Sequence, residues 1–315
     1  MGRTAGCTSR RALTGRRAFP LVPRRRLSGT PFGERRSSRR GRGSEVAGTR
    51  PYLPGDPVST IDWFASGKLS AARGRDEFVV RETYAEEAPR VLVLADRRPS
   101  MALYGPAFPW LDKRAAVVAA AEAIARSAAA ARAELGHADA AGGRTRVLPP
   151  GAVAPRFLLD RVRRAPFDAG ERSLGHALEH LLNRRAELPQ GSFVFVLSDF
   201  LAPVGAATWA RLRSARWDVV PVVVQDPTWE QSFPDVDGVL VPLAAPDGGE
   251  QVRVRLSRAD VATRRRANEE RLEGLLKRFR RLGFDAVVLS SSSPTAVDAA
   301  FLRWAKRRSL RRGRG

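Results

Sequence analysis

Three short apolar runs constrain this chain most. Val91 to Ala95, Phe193 to Leu197 and Val219 to Val224 are unbroken stretches dominated by branched and aromatic residues, the pattern of strands buried on both faces. The first stops at Asp96 and the second at Ser198-Asp199. An acid at the carboxyl end of a buried strand lies where open α/β sheets place their ligand sites. Helical patterns alternate with the runs: an Ala-rich segment from Pro109-Trp110 through Leu135, then Arg156 to Arg164, Leu174 to Glu187 and Ala206 to Ala215. One or two weak strands fall between His137 and Leu148, split by Gly142-Gly143. This alternation predicts a doubly wound α/β sheet.

Past Val224 the pattern changes. Val239 to Leu243 and Val252 to Leu256 flank Asp247-Gly248-Gly249, which predicts a small β-hairpin insertion at about 236–256. Ser257 and Asp260 form a capping box for a helix whose apolar stripe is Leu272, Leu275, Leu276 and Phe279. Phe284 to Leu289 reads as a further strand, and Ser293-Pro294 opens the last helix.

At 315 residues the chain can bury a full core. Glu122, Arg126, Arg132 and Glu134 interrupt the Ala-rich segment, which makes it a soluble helix and not a membrane span. The arginines near the N-terminus leave no room for a signal-peptide core, and Cys7 is the single cysteine, so a cytoplasmic protein without an intramolecular disulfide is expected.

The formal net charge of +22 raises a nucleic-acid reading, and its distribution argues against a specific one. Residues 1–50 hold 14 arginines against Glu34 and Glu45, and residues 303–315 hold six arginines and Lys306 with no acid. The body between is close to neutral. Residues 1–47 are expected to be a basic, largely disordered tail and 303–315 a second basic tail. Such tails can hold polyanions through salt-dependent electrostatics, the alternative function, but they lack the interleaved aromatics of a single-strand platform. Only Lys68, Lys113, Lys277 and Lys306 are lysines among the 55 basic residues, a bias that reflects genome composition rather than selection for phosphate contacts.

Residues 48–88 are a separate segment. Pro51, Pro54 and Pro57 exclude helix there, Pro54-Gly55-Asp56 marks a turn, and Phe78-Val79-Val80 reads as a short strand. Asp56 and Asp62 read as turn and cap residues, and Trp63 as an anchor packed on the body with its indole N–H satisfied. The ordered set Arg50, Tyr52, Gly55, Asp56, Ile61, Asp62, Trp63, Ser66 and Lys68, followed by Asp96, Ser100 and Met101, resembles the prokaryotic domain of unknown function 58 family. Members of that family carry a von Willebrand factor A-like domain. The basic Gly-rich run Ser37 to Glu45 follows the same pattern. The resemblance implies an irregular or β signature segment at 48–88 packed on a Rossmann-like domain at 89–302.

It also implies a metal-ion-dependent adhesion site, built from Asp-x-Ser-x-Ser after the first strand, a Thr from a second loop and an Asp from a third. A hard divalent cation takes carboxylate and hydroxyl oxygens of that kind. Here the first motif is Asp96-Arg97-Arg98-Pro99-Ser100, with Arg98 at the middle hydroxyl. Arg172, in Glu171-Arg172-Ser173-Leu174, falls where the Thr stands, and Asp199 keeps the third acid. If Asp96, Arg98, Arg172 and Asp199 converge, their charges cancel without an ion, because a guanidinium satisfies carboxylates in a bidentate fork. No resident metal or other cofactor is expected, and magnesium or manganese is disfavoured. Were Arg98 turned outward, Asp96, Ser100, Ser173 and Asp199 with water would complete a weak site.

Other chemistry is thin. His176 and His180 share a helical face but lack a third ligand, with His137 the only other histidine. There is no G-x-S-x-G elbow and no Walker A sequence. The resemblance implies a non-enzymatic interaction module or adaptor that works with a MoxR-type AAA+ ATPase on an unknown client protein. Its docking face would carry Asp96, Arg98, Ser100, Arg172, Ser173 and Asp199.

Overall fold

A computed structural model describes residues 16–24, 46–83, 88–105, 110–151, 153–243 and 252–312. The chain divides into two compact units, residues 26–88 and residues 1–25 with 89–315.

In the smaller unit, strand β1 (Val46–Pro51) pairs antiparallel with β2 (Val79–Thr83), and helix α1 (Trp63–Arg73) lies between them in sequence. The turn after β1 is held by Asp56, which is buried and accepts two hydrogen bonds of 2.7 Å from the Arg50 guanidinium and one of 2.9 Å from the Leu53 amide. Gly55 has φ +102°, a conformation that side chains resist. Tyr52 donates its amide to the Phe78 carbonyl, and Ile61 bridges Val80. Asp62 caps α1 by accepting from the Ala65 amide at 3.0 Å. Asp56 and Asp62 thus make the turn and cap contacts expected of them.

Two expectations for this segment need correction. The prolines end at Pro57, so they leave room for a helix that starts after Asp62, and α1 fills it. Trp63 is not a buried anchor: it is 62% exposed and meets Phe78 edge-on at 6.0 Å. The residue that ties α1 to β2 is Ser66, the one buried position of the helix, whose hydroxyl accepts from the Val79 amide at 3.0 Å and donates to the Asp62 carbonyl at 2.7 Å. Lys68 lies over the Phe64 ring at 4.4 Å.

The larger unit is built in chain order from β3 (Arg90–Ala95), α2 (Lys113–Ala130), β4 (Glu134–Asp139), β5 (Arg146–Leu148), α3 (Pro155–Arg164), α4 (Ser173–Asn183), β6 (Phe193–Ser198), α5 (Ala206–Ser214), β7 (Asp218–Val224), β8 (Leu240–Leu243), β9 (Val252–Arg255), α6 (Arg258–Leu282), β10 (Val287–Leu289) and α7 (Pro294–Arg312). Six strands form one sheet in the order β10-β7-β6-β3-β4-β5, parallel except for β5, which runs antiparallel to β4. Because β6 and all of β3 after Arg90 are buried, alternate side chains feed opposite layers. Val91, Val93, Phe193, Phe195 and Leu197 pack with α2, α3 and α7, whereas Leu92, Leu94, Val194 and Val196 pack with α4, α5 and α6. Strands β8 and β9 pair antiparallel outside this sheet; the Asp247-Gly248-Gly249 turn expected between them lies outside the described residues. The capping box of α6 is present, with Ser257 and Asp260 each bonding the other's backbone. Among the described residues no helix is long and apolar enough to cross a membrane.

Other boundaries differ from the sequence reading for physical reasons. Helix α2 stops at Ala130, because residues from Glu134 onward pair with β3 as a strand. The basic stretch from 303 is not a tail through Arg312. It is the second half of α7, with Trp304 fully buried and Arg308 paired bidentately with Asp218 at 2.8 Å and with Asp285 at 3.1 Å. Within the N-terminal stretch, residues 16–24 are packed on the larger unit. Phe19 is 3% exposed, stacks on Phe301 at 4.7 Å, meets Trp304 edge-on and donates its amide to Ser127 at 2.9 Å. One aromatic ring was enough to outweigh a flanking run of arginines. Truncating Phe19→Ala should therefore cost about 3 kcal/mol, the range for deleting a core aromatic. Urea unfolding checks this, and a loss below about 0.5 kcal/mol would mean the segment is only surface-laid.

Candidate functional site

The chain runs from β3 to β4 on one side of the sheet and returns to β6 on the other, so the carboxyl ends of β3 and β6 flank the switch point. Asp96 follows β3 and Ser198-Asp199 close β6, and the Asp96 amide donates to the Leu197 carbonyl at 2.9 Å. All three side chains are buried.

Arg98 fills the space between the two acids. Its Nη2 donates to Asp96 Oδ2 at 2.6 Å, to Asp199 Oδ1 at 2.7 Å and to Ser198 Oγ at 3.3 Å, and its Nε donates to Asp96 at 3.0 Å. The Ser198 hydroxyl donates to Asp96 at 2.7 Å and accepts from the Phe200 amide at 2.9 Å. Burial disfavours the charged guanidinium, but Asp96 and Asp199 outweigh it and hold its pKa above the ordinary value.

A second cation completes the cluster. Lys113, the first residue of α2 and wholly buried, donates from Nζ to Asp199 Oδ2 at 3.2 Å, to Glu230 Oε1 at 2.5 Å and to the Ser100 carbonyl at 3.1 Å. Glu230 accepts in turn from the Asp226 amide at 2.9 Å. Burial works against the charged form of Asp199, and Lys113 and Arg98 overcome it, holding that carboxyl below its usual value. For Glu230 burial wins over Lys113 and pushes the carboxyl up.

Arg172 does not join this network. It is exposed at the N-cap of α4, its carbonyl accepts from the His176 amide at 3.1 Å, its side chain makes no hydrogen bond or ion pair among the described residues, and it lines an open cleft of about 400 Å³ with Ser173, His176, Thr145 and Glu171. The expected convergence thus holds for Asp96, Arg98 and Asp199, while the second cation is Lys113 and not Arg172. Lys113, Ser198 and Glu230 escaped the sequence reading. The one signal for Lys113 was its rarity, a lysine kept in an arginine-dominated chain, just after the helix cap Asp112.

The divalent cation that the resemblance implies does not fit these residues. Arg98 spans both carboxylates where a bridging ion would sit, and Lys113 takes the remaining oxygen of Asp199. An ion forced in beside them would meet repulsion of about 4 kcal/mol per unit-charge pair at 4 Å and an effective dielectric of 20. Among the described residues no group of three His, Cys, Asp or Glu side chains is placed to hold a metal. The Ser100 and Ser173 hydroxyls are buried without a well-aligned hydrogen-bond partner, although Ser100 faces Asp199.

A neighbouring network closes the end of β4. His137 sits between the Val93 carbonyl at 3.1 Å and Asp139 at 2.9 Å, and Asp139 accepts two bonds of 2.9 Å from Arg161. Arg97 is wholly buried 3.8 Å from Asp139, and burial lowers its pKa to about 10. His176 and His180 are exposed, apart from His137 in this respect.

Comparison with known proteins gives a family. The sequence model described as "Protein of unknown function DUF58" matches residues 48–273. Uncharacterized proteins of Mycobacterium bovis and Mycobacterium tuberculosis are 29% identical over 229 residues, covering 71% of this chain and 68% of theirs. Among solved structures, the conserved hypothetical protein BatB from Bacteroides thetaiotaomicron is similar at a TM-score of 0.39 and 15% identity, over 70% of this chain and 100% of that one. The pilus adhesin SpaC from Lactobacillus rhamnosus GG is similar at 0.41 and 12% identity, over 71% of this chain and 31% of that one.

The network sets a pH dependence. Asp199 has a lowered pKa in the fold, so its contribution to stability is complete above the unfolded value of 3.8 and is lost as pH falls through the lower folded value. Glu230, raised from 4.5, acts in the opposite sense, its contribution being lost as pH rises through the folded value. Asp199→Asn should cost about 3–5 kcal/mol at neutral pH, since it leaves Arg98 and Lys113 without a shared partner. The difference from wild type should shrink only below about pH 4. Urea unfolding from pH 7 to pH 3 checks this; a difference that stays constant with pH would contradict the assignment.

Proposed function

The chain belongs to the family described as protein of unknown function DUF58, and from that premise we propose that it is a non-enzymatic interaction module. In this reading the larger unit is a von Willebrand factor A-like domain with β8 and β9 as a hairpin insertion. It serves in the cytoplasm as adaptor or client-recogniser for a MoxR-type AAA+ ATPase, which supplies the energy. One observation carries the reading: at the switch point the acidic groups are tied into buried ion pairs, whereas the exposed Arg172 side chain lines an open cleft and has no ion-pair partner among the described residues. A cluster so closed provides a rigid platform, and the exposed rim does the recognising. Asp96, Arg98, Ser100 and Asp199 hold the platform, whereas Arg172 and Ser173 belong to the face that meets a partner. An arginine held at a helix N-terminus without a partner of its own suits an acidic group on the other protein.

The test is association with a MoxR-type AAA+ ATPase from the same organism. Purified together with ATP, the two should form a complex, and Arg172→Glu should weaken it by about tenfold or more, as expected of an arginine hot spot. The thermal midpoint of the variant should stay at the wild-type value, because the Arg172 side chain has no hydrogen-bond or ion-pair partner among the described residues. Failure of the two proteins to associate with or without ATP would count against the reading.

A further inference from the structure

We infer that Arg98 and Lys113 together take the place of a divalent cation, so that the switch-point face is organised by two side-chain charges fixed in the fold. This goes beyond the adaptor reading and stands on the geometry alone. Two unit charges equal the charge of one magnesium or manganese ion, and they reach the oxygens such an ion would gather. Arg98 draws Asp96 and Asp199 together through one nitrogen, 2.6 Å from the first and 2.7 Å from the second. Lys113 extends the cluster from the other oxygen of Asp199 to Glu230, in the loop that follows β7.

The choice of residue at each position fits the role. A planar guanidinium clamps Asp96 through Nε and Nη2 together while Nη2 also reaches Asp199, a two-nitrogen grip that a point-like ammonium cannot make. Position 113 asks for the reverse. Its three acceptors, the Ser100 carbonyl, Asp199 and Glu230, surround a single nitrogen, and the three hydrogens of an ammonium meet all of them. In a chain with four lysines among 55 basic residues, one of them takes position 113, which with Arg97 is a wholly buried cation. That position also runs against local preference. Lys113 opens α2, where the helix dipole disfavours a cation, and Asp199 and Glu230 offset the conflict.

The buried polar set around the cluster is richer in oxygen than two cations require. Gln225 Oε1 and Asp226 Oδ2 are buried without a hydrogen-bond partner among the described residues, and Ser100 Oγ faces Asp199 without a well-aligned bond. Removing Arg98 would therefore leave the Asp96 and Asp199 carboxylates facing one space beside the Ser198 hydroxyl, oxygen donors of the kind that a hard divalent ion takes with water. Metal binding should thus be a latent property that Arg98 and Lys113 suppress.

The experiment compares the full wild-type chain with the double variant R98S/K113M by manganese electron paramagnetic resonance and by thermal unfolding. Wild type should leave the free manganese signal intact at micromolar concentrations, and its unfolding midpoint should be indifferent to manganese and to chelator. The double variant should have a lower midpoint, take up manganese at least about tenfold more tightly than wild type, and recover stability as the metal is added. Should the double variant fail to fold even when refolded with manganese, R98S alone decides by the same two readouts, since it keeps Lys113 and its contacts. Stoichiometric micromolar uptake by wild type would overturn the inference. So would a folded variant that binds manganese no better than wild type. Neither result depends on whether the ATPase associates, so this inference and the adaptor reading fail separately.

Discussion

The Arg98 guanidinium joins the carboxyl ends of β3 and β6, the two central strands at which the chain reverses its direction across the sheet. Two aspartates at neighbouring strand ends would repel each other in a site with little water. One side chain, donated from within the same loop as Asp96, removes that repulsion and fixes both carboxylates. A buried pair of this kind is costly to desolvate and adds little net stability over an apolar packing, but breaking it is expensive. Its consequence is rigidity of position. Ser198, the Leu201 amide and Lys113 bond to the two acids that Arg98 holds, and the Phe200 amide bonds in turn to Ser198 Oγ.

The same logic extends outward through Lys113. It links the start of α2 to Asp199 and to the loop bearing Glu230, so a helix, two strand ends and a loop share one buried charge cluster. Elsewhere in the larger unit buried charge is used in a different way. Arg308 ties α7 to Asp218 at the start of β7 and also donates to the Val22 carbonyl, at the far side from any candidate site. Together with Phe19 it fixes residues 16–24 on the larger unit. The family match covers residues 48–273, so this N-terminal segment and α7 lie outside it.

Much of the larger unit was legible because its strands are buried on both faces. Val91 to Ala95, Phe193 to Leu197 and Val219 to Val224 each became a central parallel strand, and the acids that end the first two fell side by side. The pairing of Arg98 with them followed from residue types in a motif, since a forked cation two residues from one carboxylate reaches the other across a strand spacing. Lys113 was hidden because sequence shows a lysine at a helix start as a solvated charge, and only tertiary contact brings Glu230 to it. Phe19 was hidden in the same way among arginines and prolines. The helix after Asp62 was missed because three prolines just before it dominated the local reading. Trp63 shows the converse error: a tryptophan in a shared motif invites burial, yet Ser66 carries the contact with β2.

The central claim is that a guanidinium, and no ion, lies between Asp96 and Asp199. Crystals of the full chain grown with manganese, measured at a wavelength that gives manganese an anomalous signal, test it most directly. The account predicts continuous density for the Arg98 side chain bridging the two carboxylates and no anomalous peak between them. A peak at that point, with Arg98 turned away from the acids, would contradict it.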